Sequence, residues 1–415
     1  MAKEMRINDL PLEIFLEILV RTDIGTVVTC RSVCKKWKNI IDENEIIWGK
    51  ICEIEFEPLT PLIKSRAKGE IEWCHVYLNL AVWSNIKEYE YNIHVLCSMV
   101  CSEFEPIIVP DYGVLPVKIY SDLSFYDLAT LEVMPIVIKD IECKKISHND
   151  IVTVYLTKNK LYVQKSPDSS NPTEELFEAE NFVLCDKQLY FYNNKDVFQC
   201  DLTSETITPK LIISRKYVFK EIVYCDNVLY LFTICHKAIS ITNDNEVTET
   251  KINAPVKWLH YLCDVHSVNK YNIISYSHNM HKTNMQTMFS MFASGPQISA
   301  VCFYADIIII GRKSGQILLS RMSQLKDSVR EQQFEKIAQL PSRKYAVKIC
   351  VCERKCGPLI VIFTVRDVIL VEYNLLLHED KPKGMSKEKN DILKRLQRIQ
   401  ERMKSKYAKK LDEEA

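Results

Sequence analysis

The feature that most constrains the fold of this 415-residue chain is an internal repeat. The segment FVLCDKQLYFY (182–192) aligns with IVYCDNVLYLF (222–232) at an offset of 40 residues. A second pair, FYDLATLEV (125–133) and QCDLTSETI (199–207), aligns at an offset of 74 residues, which is close to two repeats. Both pairs alternate β-branched and aromatic runs with polar turns, the pattern of short strands. The chain is therefore predicted to contain repeated units of several strands each.

Markers at the end of the third strand place seven such units between residues 88 and 378. The marker residues are Asp127, Gln164, Asp201, Asn243, His278, Arg321 and Asn374, at spacings of 35 to 53 residues. We therefore expect an all-β propeller, with seven blades, over 88–378. The repeats resemble WD-repeat and kelch arrays, although the Gly-His, Trp-Asp and Gly-Gly dipeptides of those families are absent. Two packed β-sandwiches are the alternative, but they do not explain a repeated offset of 40 residues.

Residues 5–52 carry a helical pattern instead. Pro11 suits the first position of a helix, and the apolar residues at 14, 15, 18 and 19 recur at helical spacing. The helical pattern is interrupted at 22–26 and resumes at 27–41. Trp48 is the last residue of the pattern. Three short helices of this size bury only part of such an apolar set. We therefore expect another protein, or the next domain, to cover the remaining side chains.

The order and spacing of these residues resemble the F-box. That pattern is a Leu-Pro pair, an apolar helix, Val-Cys followed by two basic residues and Trp, and a final Trp. It is carried across residues 7–51 by Leu10-Pro11, Glu13-Ile14, Ile18-Leu19, Val33-Cys34, Trp37 and Trp48. The Leu usually found at the end of the first helix is replaced by Arg21 or Thr22. The alternative is an unrelated helical hairpin in which both Trp side chains are simply core.

The resemblance implies docking onto the Skp adaptor of a cullin–RING ubiquitin ligase. The positions that it assigns to adaptor binding are Leu10, Pro11, Ile14, Leu19, Val33 and Trp37. It implies a non-catalytic substrate receptor, in which the propeller holds a protein substrate for ubiquitination. Two alternatives stay open: an adaptor-bound scaffold with no role in ubiquitination, and a propeller enzyme with an accessory helical domain.

The segments beside the propeller are also predicted to be helical, which makes the fold class α+β and multidomain. Residues 53–86 form an expected linker, because Trp73, Tyr77, Leu80 and Trp83 recur at helical spacing. This run resembles the helix that joins the box to the receptor domain in F-box propeller proteins. Residues 381–415 hold twelve Lys or Arg against six Asp or Glu, a net charge of +6. They predict a basic helical tail, with a short coiled coil or a nuclear-import patch as alternatives.

The sequence contains no motif that indicates catalysis or a cofactor. GxxxxGK[ST], GxSxG, HExxH and CxxC are all absent. Two sets approach a metal cluster, Cys350–Cys352–Cys356 and His260–Cys263–His266, but neither has a partner pair at zinc spacing. Basic and acidic residues balance at 54 each, and the longest apolar runs are of strand length. We expect a cytoplasmic or nuclear protein with reduced thiols, no metal, and neither nucleic acid nor membrane as partner.

The predicted turns between second and third strands are mostly basic. They lie at 157–160, 193–196, 235–238, 277–282, 311–315 and 365–367, and only the first, around Ser121-Asp122, is acidic. The candidate substrate-binding cations are Lys158, Lys195, Lys237, Arg312, Lys313 and Arg366. Such a rim would attract carboxylates or phosphate, which predicts an acidic or phosphorylated segment in the substrate. The alternative is that hairpin turns are polar and often contain Lys.

Overall fold

The computed structural model divides the chain into two units. It describes residues 10–56, 72–98, 113–119, 122–138, 143–149, 151–165, 174–185, 187–214, 217–225, 227–235, 237–244, 246–251, 298–304, 307–321, 334–341 and 343–373. The described part of the first unit consists of the residues up to Tyr91, together with 353–358 and Tyr373. The remaining described residues form the second unit.

The first unit is helical. Its helices are α1 (Leu12–Val20), α2 (Ile24–Arg31), α3 (Lys35–Asp42), α4 (Glu45–Phe56) and α5 (Trp73–Ser84), followed by a short 3-10 helix at Ile86–Glu88. The stretch 27–41, predicted as one helical run, is divided between α2 and α3 because the backbone of Cys34 is extended (φ −161°, ψ 162°). Helix α5 includes the four residues from which the linker helix was predicted, Trp73, Tyr77, Leu80 and Trp83.

The second unit is built from strands. In chain order the strands are β1 (Tyr91–Ser98), β2 (Val114–Ile119), β3 (Asp122–Asp127), β4 (Val133–Ile138), β5 (Cys143–His148), β6 (Val152–Thr157), β7 (Lys160–Lys165), β8 (Glu174–Glu178), β9 (Asn181–Leu184), β10 (Gln188–Asn193), β11 (Asp196–Asp201), β12 (Lys210–Ser214), β13 (Phe219–Cys225), β14 (Val228–Thr233), β15 (Lys237–Thr242), β16 (Val247–Lys251), β17 (Ile298–Tyr304), β18 (Ile307–Arg312), β19 (Gln316–Arg321), β20 (Glu335–Gln339), β21 (Lys348–Cys352), β22 (Leu359–Phe363) and β23 (Asp367–Tyr373).

Six sheets are present in the described part of this unit. In five of them the strands lie in chain order, and these are β2–β4, β5–β8, β9–β12, β13–β16 and β17–β20. The sixth contains β21, β22 and β23, and its outer strand is β1, which comes from the other end of the domain. Strands that follow one another within a sheet pair antiparallel, as short hairpin turns require.

Apolar side chains fill the spaces between successive sheets. Val154 and Leu161 pack with Phe182 of the next sheet, and β9–β12 packs in the same way against β13–β16. The last sheet packs against the first through Val361 and Leu115. The chain between β13–β16 and β17–β20 lies outside the described residues. Elsewhere the first strands of neighbouring sheets lie side by side, as β9 and β13 do and as β17 and β21 do, and the last sheet meets the first. This arrangement is that of a β-propeller.

The predicted repeat is confirmed strand by strand. The markers Asp127, Asp201 and Arg321 end β3, β11 and β19, Gln164 lies in β7, and Asn243 directly follows β15. The markers His278 and Asn374 and the predicted basic tail at 381–415 lie outside the described residues. Seven blades therefore stay a prediction.

Candidate interaction surfaces

The helical unit has a core to which all five helices contribute. The rings of Phe15 on α1 and Trp37 on α3 lie 4.7 Å apart, and the indole nitrogen of Trp48 donates to the carbonyl of Ile41 at 2.8 Å. Helix α5 covers the open side of this core, with the ring of Tyr77 at 5.3 Å from that of Trp48. Burial raises the pKa of Tyr77 to about 12. The linker helix thus covers part of the apolar surface that three helices alone would leave exposed.

Polar contacts hold the helices in place around the core. Arg31 ends α2 and forms an ion pair with Asp42 at the end of α3, with Nη2 and Oδ2 3.0 Å apart. Hydrogen bonding to that carboxylate raises the pKa of Arg31. Asp23 caps α2 by accepting from the amide of Thr26 at 3.0 Å, and its hydrogen bonds to Thr26 lower the pKa of Asp23.

Four of the six candidate adaptor-binding residues reach the surface. Ile14 is 50% exposed and Val33 is 60% exposed, Pro11 is also exposed, and Leu10 is half-buried. On α1, Ile14 and Ile18 are four residues apart and lie on the same side of the helix. The surface of the helical unit therefore carries apolar side chains that its own core does not use.

The two remaining candidates lie inside the core. Leu19 is 2% exposed and Trp37 is 8% exposed, and both pack in the cluster that contains Phe15 and Ile41. A side chain at this depth offers a second protein almost no contact area. In this structure Leu19 and Trp37 support the helices, and their direct contact with an adaptor stays a prediction.

The structure also exposes apolar residues that the sequence analysis did not select. They are Leu12 and Ile18 on α1 and Val28 on α2. The sequence could have indicated Ile18. Ile14 and Ile18 are four residues apart, and so are Phe15 and Leu19, so the two pairs lie on neighbouring sides of one helix. The sequence could not have indicated Val28, because its exposure depends on which face of α2 the other helices cover.

A protein-family model identifies this helical unit. The model of the F-box domain matches residues 7–48, which contain α1, α2, α3 and the start of α4. Residues 7–48 are an F-box domain. The exposed Ile14, Ile18, Val28 and Val33 all belong to the F-box domain, as do the buried Leu19 and Trp37.

Comparisons over the whole chain add little to this. No curated protein matches the chain. Among solved structures, the N-terminal domain of Nup159 aligns with 8% identity and a TM-score of 0.38, covering 69% of this chain and 96% of that one. A chain from the S. cerevisiae complex of Dbp5 with Nup159, Gle1, IP6 and ADP aligns with 9% identity and a TM-score of 0.36, with the same coverage. BamB from Moraxella catarrhalis aligns with 8% identity and a TM-score of 0.28, covering 65% of this chain and 81% of that one. At these TM-scores the alignments do not bear on the fold.

The second candidate surface is the set of turns between second and third strands. The described turns lie where they were predicted, between β2 and β3, β6 and β7, β10 and β11, β14 and β15, β18 and β19, and β22 and β23. Lys158, Lys195, Lys313 and Arg366 are exposed in these turns, and Arg312 is half-buried. The turn at 277–282 lies outside the described residues.

Lys237 differs from these residues because its ammonium group already has partners. It forms an ion pair with Glu249 of the adjacent strand β16 and donates to the hydroxyl of Tyr217 at 2.7 Å. The hydrogen bond to Glu249 raises the pKa of Lys237. A substrate anion would have to compete with Glu249 for this cation, and the assignment of Lys237 to substrate binding stays a prediction.

Two of the basic turns meet through the loop between β20 and β21. The amide of Leu340 in this loop donates to the carbonyl of Gly315 at 2.9 Å. At the other end of the loop, Lys344 pairs with Asp367 at 2.8 Å. Four cations belong to the two turns and to this loop: Arg312, Lys313, Arg343 and Arg366. We call this set the basic corner, and among the described residues its members form no ion pair.

In the part of the chain that the structure describes, the other candidate residues do not form a metal site. Cys350, Cys352 and Cys356 are half-buried, and no three His, Cys, Asp or Glu side chains with described positions are arranged to hold a metal ion. The set His260, Cys263 and His266 lies outside the described residues. Burial raises the pKa of Cys200 to about 12. No described helix is both long and apolar enough to cross a bilayer.

Proposed function

We propose that this chain is the substrate-recognition subunit of an SCF-type ubiquitin ligase, with the F-box domain binding a Skp-type adaptor and the propeller binding a protein substrate. The observation that carries the proposal is the exposure of Ile14 and Ile18 on α1 and of Val33 between α2 and α3, beside a core that other side chains already fill. Apolar surface of this kind gains about 25 cal/mol for each Å² that a partner removes from water.

The proposed adaptor contact uses two groups of residues with different tasks. Leu10, Pro11, Ile14 and Val33 meet the adaptor directly, extended by Ile18 and Val28. Leu19 and Trp37 hold the helices that present them. The division of the chain at 5–52, 53–86, 88–378 and 381–415 into F-box, linker, propeller and basic tail belongs to the same proposal, as does a cytoplasmic or nuclear location.

The proposed mechanism is proximity without chemistry by this chain. Fixing the substrate on the ligase raises the effective concentration of a substrate lysine near the charged ubiquitin-conjugating enzyme. No residue of this chain is assigned a catalytic role or a cofactor.

The substrate segment that best fits the propeller is acidic or phosphorylated. Its proposed site is the basic corner, where Arg312, Lys313, Arg343 and Arg366 lie on two adjoining sheets and the loop between them. Guanidinium groups bind carboxylates and phosphates through paired hydrogen bonds, which favours Arg at such a site. Lys158 and Lys195 lie on other sheets and would extend the positive surface.

Co-purification separates the ligase from the scaffold. The tagged full-length chain is expressed in cells and its partners are identified by mass spectrometry. Recovery of a Skp-type adaptor together with a cullin supports the ligase, whereas recovery of the adaptor without a cullin supports an adaptor-bound scaffold. Recovery of neither contradicts both.

Charge reversal tests the substrate site separately. Arg312→Glu with Arg366→Glu is expected to abolish capture of substrate proteins while adaptor binding is kept. Lys210→Glu is the matched control, because Lys210 is an exposed cation at the start of β12, at the opposite end of its sheet from the basic turns. Equal capture by the double variant and the wild type would contradict the role of the basic corner.

A further inference from the structure

A cavity of about 270 Å³ lies between the sheets β9–β12 and β13–β16. It is found where the third strands β11 and β15 end and the second strands β10 and β14 begin. In antiparallel sheets this is the end opposite to the turns between second and third strands. The cavity is therefore separate from the basic corner.

Aromatic and aliphatic side chains form the wall and floor of the cavity. The rings of Tyr190 and Tyr224, one from each sheet, stack with centroids 5.2 Å apart and an interplanar angle of 16°. Leu229, Ile241 and Ile212 complete the apolar lining. Such a surface packs well against the carbon atoms of a side chain.

Amide groups provide the polar part of the lining. The Nε2 of Gln199 donates to Oε1 of Gln188 at 3.0 Å and to the hydroxyl of Tyr190 at 3.3 Å. This leaves Nε2 of Gln188 as a donor and Oε1 of Gln199 as an acceptor. Asn243, exposed at the end of β15, adds a third amide. The cavity thus offers hydrogen-bond donors and an acceptor together.

Among the described residues, the lining carries no charged group. Its members are Gln188, Tyr190, Gln199, Ile212, Tyr224, Leu229, Ile241, Thr242 and Asn243. Burial raises the pKa of Tyr190 to about 12 and also raises the pKa of Tyr224, so both hydroxyls are protonated near neutral pH. A charged occupant would lose hydration here without gaining a counter-ion, which is costly.

We propose that this cavity, the amide pocket, binds the side chain of an Asn or Gln residue in a protein partner. A primary amide presents one acceptor and two donors, which match the free Gln188 and Gln199 groups, and its carbon stem packs on the tyrosine rings. The volume lies below the roughly 300–1,000 Å³ of sites for whole small molecules, and suits one residue of a longer chain. The proposal adds a second contact beyond the acidic segment at the basic corner, and does not depend on adaptor binding.

Saturation-transfer NMR on the full-length chain tests this with two probes that differ in one group. N-acetyl-glutamine methylamide is expected to bind, and N-acetyl-glutamate methylamide at pH 7 to bind at least about tenfold more weakly, because the cavity has no cation for its carboxylate. Gln188→Leu and Asn243→Asp should weaken the glutamine probe about 3- to 10-fold by removing or repelling a hydrogen-bond partner. Thermal melting verifies that each variant is folded.

Glu132→Gln is the matched control, because Glu132 is exposed beside β4, in a sheet that does not line the amide pocket. It should bind the glutamine probe like the wild type. Equal binding of the two probes, or full binding by Gln188→Leu and Asn243→Asp, would overturn the amide pocket. Stronger saturation of uridine or methyl glucoside than of the glutamine probe would overturn it in favour of another ligand class. Each of these results leaves the proposed ligase function untouched.

Discussion

Glu221 belongs to a chain of polar side chains that crosses three sheets. Lys145 donates to Oδ1 of Asn181 at 3.1 Å, and Nδ2 of Asn181 donates to Oε2 of Glu221 at 3.0 Å. The three residues occupy equivalent places on the first strands β5, β9 and β13, because each pairs with the second-to-last residue of the following strand. The sequence repeat thus places a polar contact at the same position in successive sheets.

Glu221→Gln should raise the melting temperature of the propeller by a few degrees at pH 7. Burial raises the pKa of Glu221 and outweighs the attraction of Lys145, Lys220 and Lys348. A raised folded-state pKa means that stability is greatest when the group is protonated, and is lost as the pH rises through the folded-state pKa. Glutamine keeps the acceptor for Asn181 without the charge.

The gain from Glu221→Gln should shrink as the pH falls from 7 toward 4.5, the ordinary pKa of a Glu carboxyl. Calorimetric melting of both proteins at several pH values checks this, with the exposed Glu132→Gln as a control that should change nothing. A lower melting temperature for Glu221→Gln at pH 7 would show that ion pairing, rather than burial, dominates at this site.

At the scale of single elements, the turn between β18 and β19 depends on Gly315. Its φ is +81°, and a Cβ atom there would lie 2.7 Å from the backbone oxygen of Lys344. Any residue other than glycine is strained in this conformation, and a Cβ atom could be accommodated only if the backbone of the loop at Lys344 shifted. The same turn carries Arg312 and Lys313.

Gly315→Ala should therefore destabilise the propeller by about 1–3 kcal/mol, measured by urea unfolding. Ser314→Ala is the control, since Ser314 is exposed in the same turn and needs no special backbone conformation. Because the turn positions half of the basic corner, Gly315→Ala should also weaken capture of an acidic substrate. Equal unfolding midpoints for the two variants would contradict the steric account.

The elements were largely predictable from the sequence, whereas the roles of individual side chains were not. The aligned segments at 182–192 and 222–232 became β9–β10 and β13–β14, because alternating apolar residues fix strands locally. The burial of Leu19 and the exposure of Ile14 depend on which face of α1 the other helices cover. The pairing of Lys237 with Glu249 depends on the register of β15 and β16, which no local pattern indicates.

At the scale of the whole propeller, the ring is closed by β1. This strand joins the sheet of β21–β23 from the far end of the domain, and Ser98 donates to Asp367 across the junction at 3.2 Å. The pairing covers the edge of β23, which would otherwise offer unpaired backbone groups to other chains. The sequence placed the start of the domain near residue 88 but gave no sign of this pairing, because the partners are about 270 residues apart.

Leu96→Asp in β1 should lower the melting temperature markedly, because Leu96 packs against the core between the last and first sheets and a buried carboxylate is costly there. Val95→Asp is a matched control in the same strand, since Val95 is exposed, and it should have little effect. Similar melting temperatures for the two variants would contradict closure of the ring through β1.

The most direct test of the account is calorimetric titration of the purified full-length chain with a Skp-type adaptor. The wild type should bind with one-to-one stoichiometry. Ile14→Asp and Val33→Asp should each lower the affinity by about tenfold or more without changing the melting temperature, because each places a charge in an apolar contact. Val133→Asp, at a propeller valine of similar exposure (56%), should bind like the wild type. No binding by the wild type, or equal binding by all variants, would contradict the proposed adaptor contact.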